Sequence, residues 1–199
     1  MLSAVALCNA ALAKIGDAQI IDLNDESKQA RACNEAFVRV RDALLGGYRW
    51  SFAMTRAQLA ASATAPAFEY SLQYPLPVDL LRLDYVGDMF VGLDLSDYRN
   101  ASTSEFKVEG RVLLTDMPAP LNIRYIKRVT DTTIFDPLFD EAFACKLAGE
   151  ITTTLTQSDS MKEAMGREFA AVLRLAIRTN AVQRAPEALT DETWLLARL

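Results

Sequence analysis

The stretch from Ala30 to Ala60, ARACNEAFVRVRDALLGGYRWSFAMTRAQLA, places the tightest limit on the fold. Cys33, Phe37, Val40, Leu44 and Tyr48 recur at steps of three and four, which sets them on one face of a helix. Arg31, Glu35, Arg39 and Asp42 fall mainly on the other side. Gly46-Gly47 then ends the helix, because glycine accepts the left-handed conformation that closes one. In Tyr48-Arg49-Trp50-Ser51-Phe52-Ala53 the aromatics Trp50 and Phe52 alternate with polar residues, a strand-like spacing. A chain with this stretch has to fasten a long helix to the start of a sheet through an aromatic turn.

The flanking segments supply the partners. Residues 2–15 read as a short helix with Leu2, Val5, Asn9, Leu12 and Ile15 in one stripe, Asn9 being expected to tie the helix to a neighbour or to backbone. Asn24-Asp25-Glu26-Ser27 offers capping residues for a second helix starting near 25–27. After Phe52 the character changes. Residues 57–67 read as loop or frayed strand, and Phe68–Leu72 as a strand. Tyr74-Pro75-Leu76-Pro77 reads as an extended, edge-like segment, since proline cannot donate to a ladder. Leu80–Val86 reads as a strand with Leu81, Leu83 and Tyr85 on one face, and Tyr98–Ser104 as an exposed loop. Phe106–Leu114 reads as a hairpin and Leu121–Ile126 as the last strand. Asp136-Pro137 opens a third helix, with Phe139, Phe143, Leu147, Ile151 and Leu155 four apart. Ser158 caps a fourth, whose stripe is Met165, Phe169, Val172, Leu173, Ala176 and Ile177. Arg184-Ala185-Pro186-Glu187 breaks that helix, and the following segment carries Leu189, Trp194, Leu195 and Leu196. It either folds back on its own subunit or docks on a neighbour.

The expected fold is therefore α+β and mainly α. It is a four-helix bundle from residues 1–49 and 129–182, with a small antiparallel β-sheet inserted at 50–128 and an extended C-terminal arm at 183–199.

Composition narrows the function. Hydrophobic residues make up 51% and charged residues 24%, enough apolar side chain for a core. The formal charge of −5 argues against a protein that grips nucleic acid by its phosphates, which needs basic surface, but not against a wall that DNA slides past. Three well-separated cysteines, Cys8, Cys33 and Cys145, suggest buried thiols in a reducing compartment rather than a disulfide scaffold. The first residues lack a charged region before an apolar one, so no secretory leader is expected, and no apolar run is long enough to span a membrane.

There is no histidine, which removes Ser-His-Asp and Cys-His nucleophile activation and histidine metal sites. Leu44-Leu45-Gly46-Gly47 lacks the Lys-Ser/Thr of a phosphate loop. Carboxylate pairs occur at Asp131 with Asp136, Asp140 with Glu141, and Asp22 with Asp25 and Glu26. Such a pair hydrolyses a glycoside when one member stays protonated, yet capping and surface roles explain all of these. Arg39, Arg41, Arg124 and Arg128 read as solvated or ion-paired, with intersubunit salt bridges as the sharper alternative. No catalytic residue, cofactor or metal is expected.

A series of short motifs carries a resemblance. They are Leu7 to Gly16, Ala30-Arg31-Ala32-Cys33 with Val40-Arg41-Asp42, Tyr48 to Ala53, Leu59-Ala60, and Tyr74-Pro75-Leu76-Pro77 with Asp79 and Arg82. Tyr125-Ile126 and Phe135-Asp136-Pro137-Leu138-Phe139, before an alanine-rich helix, complete the series. In their order and spacing these resemble the head-to-tail adaptor family of tailed bacteriophages, the tail tubular protein A or gatekeeper proteins. Residues 87–104 match nothing in that pattern. The resemblance implies a structural, non-enzymatic connector in the virion neck, assembled in the host cytoplasm. About twelve copies would form a ring under the portal protein, extend the DNA channel and dock a downstream tail or nozzle protein. Double-stranded DNA would pass through without specific binding, and no membrane would be involved. It further implies portal or neighbour contacts at Leu189, Trp194, Leu195 and Leu196, and tail-side contacts at Tyr98 and Phe106. The alternative is a virion-associated peptidoglycan hydrolase working through paired carboxylates.

Overall fold

The computed structural model describes residues 2–87, 89–91 and 105–183. Four helices form: α1 (Ala4–Lys14), α2 (Lys28–Gly47), α3 (Pro137–Leu155) and α4 (Asp159–Val182). Their starts follow the capping residues. Ser3, Ser27 and Ser158 each accept a hydrogen bond from a backbone N–H of the first turn, those of Ala6, Ala30 and Met161. Asp136 and Pro137 occupy the N-cap and first position of α3. Asn9 holds the connection after α1, its amide donating to the Ile20 carbonyl at 2.9 Å and accepting from the Ile20 N–H at 2.8 Å.

Among the described residues seven strands lie between α2 and α3: β1 (Met54–Leu59), β2 (Leu72–Pro75), β3 (Leu80–Val86), β4 (Met89–Phe90), β5 (Phe106–Glu109), β6 (Val112–Thr115) and β7 (Leu121–Lys127). They make two antiparallel sheets, ordered β1-β7-β3-β4 and β2-β6-β5. The β5–β6 hairpin turns through Gly110-Arg111, where Gly110 takes the positive φ of 60° that the tight turn needs. Pro75 sits in β2, an edge strand, where its missing N–H costs no ladder bond.

The expected bundle with a single small sheet is corrected by this arrangement. The fold is a mixed α/β one, with four helices and two small sheets. Two physical causes account for the difference. The helices do not share their coverage evenly: α3 packs against α1, α2 and α4, while α1 and α2 barely touch. Alanines and Cys145 give α3 buried positions beside its phenylalanine stripe, so it lies inside the helical layer rather than at one corner of a bundle. The middle of the chain also splits. Residues 72–75 pair with β6, and five residues later β3 pairs with β7, so the Pro77-Val78-Asp79 segment carries the chain from one sheet to the other.

Several strand expectations shift as well. Trp50 and Phe52 do not lie in a strand, since residues 51–53 form a single 3-10 turn and β1 begins at Met54. Residues 57–59, read as loop or frayed strand, complete β1, whereas 68–71, read as strand, precede β2. The predicted Leu81, Leu83 and Tyr85 face is interrupted by irregularities in the β3–β7 register between Leu80 and Arg82 and between Leu83 and Tyr85. As a result Leu81 packs on the helical core, Leu83 enters the intersheet core, and Asp84 is buried.

There are two hydrophobic cores. The first joins α1 through α4 to the aromatic turn, with Phe37, Leu44, Trp50, Phe135, Phe139 and Phe143 buried in it. The second lies between the sheets and includes Tyr74, Leu83, Leu113, Ile123 and Tyr125. Tyr74 is fully buried and its hydroxyl donates to the Met117 carbonyl at 2.7 Å. Both cores draw on β7: Ile126 belongs to the first and Tyr125 to the second.

Candidate functional site

The junction where α2, β3, β7 and α4 meet concentrates the charged and aromatic side chains. Its floor is Trp50, 1% exposed, whose indole Nε1 donates to the Leu44 carbonyl at 2.8 Å. That carbonyl lies in the last turn of α2, so the indole ties the aromatic turn to the helix end. Phe139 meets the indole edge-on at 4.9 Å, and Phe52 lies between Phe135 and Phe139 at 5.5 and 5.1 Å.

Asn180, near the end of α4, closes the junction. Its Nδ2 donates to the Arg49 carbonyl at 2.7 Å, and its Oδ1 accepts from the Ser51 N–H at 2.8 Å and the Ser51 hydroxyl at 2.7 Å. One amide thus satisfies the backbone on both sides of Trp50.

Asp84 is the buried charge of the junction, 1% exposed. Arg49 Nε lies 2.6 Å from its Oδ1, and Arg124 Nε 2.6 Å from its Oδ2. Arg124 also lies 4.0 Å from the Tyr85 ring centroid. Arg82 donates to the Gly47 carbonyl at 3.1 Å, and burial holds its guanidinium below the usual arginine value. A cavity of about 400 Å³ opens here, walled by Tyr48, Trp50, Val91 and Ile177 with Arg49, Arg82 and Asp84. Its chemistry is apolar and aromatic with a cationic rim.

Of the carboxylates paired in the sequence, Asp22, Asp25, Asp131 and Glu141 have structural partners, while Asp136 stands at the N-cap of α3 without a side-chain cap bond. Asp25 Oδ2 accepts from the Ile21 and Asp22 N–H groups, and Asp22 Oδ1 accepts from Asn24. Asp131 caps a short 3-10 turn through the Thr133 N–H. Glu141 pairs with Lys14 at 2.6 Å, and Lys14 also reaches Glu168 at 2.6 Å. Glu141, Cys145 and Glu168 lie close enough to ligate a metal, but the Lys14 ammonium already supplies the cation there. Burial pushes the Cys145 thiol up to about 11, away from reactivity.

Asp140 is the buried member of this set. It is 4% exposed, and among the described residues its Oδ1 has no hydrogen-bond partner. Burial, with Asp136 adding to it, pushes the carboxyl up to about 6. The cavity beside the start of α3 is walled by Asp136, Pro137 and Leu138 rather than by Asp140. A raised acid without access to a cleft is a cost to the fold. Because the folded value lies above the ordinary carboxylate value of 3.8, the cost is full above pH 6 and fades as the pH falls toward 4. Asp140→Asn is therefore expected to raise the unfolding free energy by about 1–2 kcal/mol at pH 7.5 and to leave it nearly unchanged at pH 3.5. Urea titrations at the two pH values measure this.

The four arginines singled out from the sequence all make ion pairs within the chain. Arg39 reaches Glu150 at 3.2 Å, Arg41 reaches Asp42 at 2.9 Å, Arg128 reaches Asp42 at 2.8 Å, and Arg124 reaches Asp84. Of the expected contact residues, Phe106 opens β5 and packs half-buried against the intersheet core. Tyr98, Leu189, Trp194, Leu195 and Leu196 lie outside the described residues. Sequence reasoning missed Asp84, Arg49 and Asn180 as members of one site. An acid at position 84 between leucine and tyrosine in an apolar strand was the available signal.

No protein-family model matches the chain, and no curated protein matches it. No described helix is long and apolar enough to cross a membrane.

Proposed function

We propose that this protein is a structural head-to-tail connector of a tailed phage or prophage, a ring-forming subunit beneath the portal protein. The observation that carries the proposal is spatial. The short motifs that resemble the adaptor family are scattered along the sequence, yet their residues meet one another. Trp50 and Phe52 pack on Phe135 and Phe139. Asp79 accepts from the Tyr125 hydroxyl at 3.1 Å, and Arg82 donates to the Gly47 carbonyl just ahead of Tyr48. Cys8 and Cys33 lie in the same core. Motifs that share one structural task are what a common fold requires.

In this reading the helical layer forms the ring wall and the two sheets face the next tail component. The C-terminal arm reaches the portal through Leu189, Trp194, Leu195 and Leu196. The net charge of −5 suits a channel that DNA passes without sticking. Trp194→Ala is expected to weaken binding to a phage portal oligomer by at least tenfold, about 1.4 kcal/mol, as loss of an aromatic anchor does. Biolayer interferometry on immobilised portal reads the change, and an unchanged affinity would remove the arm from the interface.

A further inference from the structure

The cavity at the junction joins an apolar wall to an excess of positive charge, two arginines against the single acid Asp84. Its walls include Ile177, Asn180 and Ala181 of α4, and α4 ends at Val182. Whatever follows α4 therefore starts at the rim of this cavity. Arg49 and Arg82 stand on one side, with Tyr48, Trp50, Val91 and Ile177 making the remainder largely apolar. A second, smaller cavity of about 230 Å³ flanks the same turn of α4 and shares Trp50 and Asn180 with the first. Among the described residues, the last turn of α4 thus lies between two largely apolar cavities.

The sequence after α4 has the complementary chemistry. Residues 187–196, Glu-Ala-Leu-Thr-Asp-Glu-Thr-Trp-Leu-Leu, carry three acids, one tryptophan, three leucines and no lysine or arginine. Trp194 lies eleven residue steps beyond Gln183. At about 3.3–3.6 Å per residue they span at most ~40 Å, far more than the return to a cavity one turn upstream. A cavity near 400 Å³ is of the size that accepts an aromatic side chain with its neighbours. Tethering makes the docking intramolecular, with an effective concentration on the order of millimolar, so weak affinity suffices.

We infer that the cavity bounded by α2, β3 and α4 is a docking site for the chain's own segment 187–196, which seats Trp194 against its apolar wall and its acids beside Arg82. The inference concerns the free subunit and does not depend on the connector reading.

Tryptophan emission of the full chain tests it, because Trp50 and Trp194 are the only two tryptophans and Trp194→Phe isolates the second by difference. Three proteins are compared under acrylamide quenching: the otherwise unaltered chain, Arg82→Glu, and Ala181→Phe, which fills the cavity mouth from an exposed helical position. Docking predicts that Trp194 is blue-shifted and at least threefold less quenchable than in a synthetic peptide of residues 184–199. It predicts that both variants raise the quenching toward the peptide value while far-ultraviolet circular dichroism shows the fold unchanged. Trp194 as quenchable in the full chain as in the peptide would overturn the inference. So would protection that survives both variants, which would place the segment elsewhere. Protection that disappears on dilution would assign the occupant to a second copy and overturn the intramolecular form.

Discussion

Trp50→Ala is expected to lower the unfolding free energy by about 3–5 kcal/mol, the range for emptying a large aromatic from a core. Two losses combine. The indole is 1% exposed and has Phe139 at 4.9 Å, Tyr48 at 5.9 Å and Phe52 at 6.1 Å around it, so its removal leaves a void that rigid neighbours fill only in part. It also strips the Leu44 carbonyl of the indole hydrogen bond. Trp50→Phe separates the two, since it retains most of the ring volume and loses the N–H. That variant is expected to cost about 1–2 kcal/mol. Urea unfolding followed by far-ultraviolet circular dichroism measures both. A Trp50→Ala cost under 1 kcal/mol would mean that the aromatic turn does not hold the helices to the sheet.

Asp84→Ala should be comparably damaging for an electrostatic reason. The carboxylate is 1% exposed and two guanidiniums converge on it, so its removal leaves positive charges in a site that water reaches poorly. Breaking a buried pair from one side costs about 3–5 kcal/mol, whereas replacing all partners by apolar groups is often neutral. The double variant Asp84→Ala/Arg124→Leu is therefore expected to be more stable than Asp84→Ala alone. Arg124 is the partner to remove because its side chain is 13% exposed against 30% for Arg49. A double variant less stable than the single one would show that Arg124 is held mainly by its packing over Tyr85.

The legible and illegible parts of this chain divide along physical lines. Helix α2 was readable because its stripe of Cys33, Phe37, Val40 and Leu44 and its Ser27 cap are local signals. The same holds for Asp136-Pro137 at α3 and for the Gly110 hairpin. The depth of α3 was not readable, since alanines and a cysteine are compatible with half-buried or fully buried faces. The division into two sheets depends on which strands pair across long separations, β1 with β7 and β2 with β6, and local alternation carries no information on that. The register irregularities in β3 exchange the faces of its residues, so the leucine pattern misled and Asp84 went unnoticed. The site was hidden for the same reason: Arg49, Asp84, Arg124 and Asn180 come from four separate segments, and the fold alone gathers them.

The connector reading is tested most directly by mixing the purified protein with a phage portal oligomer from the same genome, separating the mixture by size-exclusion chromatography and examining the fractions by negative-stain imaging. The reading predicts an added ring of density coaxial with the portal, on the face from which a tail would extend. Separate elution of the two proteins across a range of salt, with bare portal rings in the images, would contradict it.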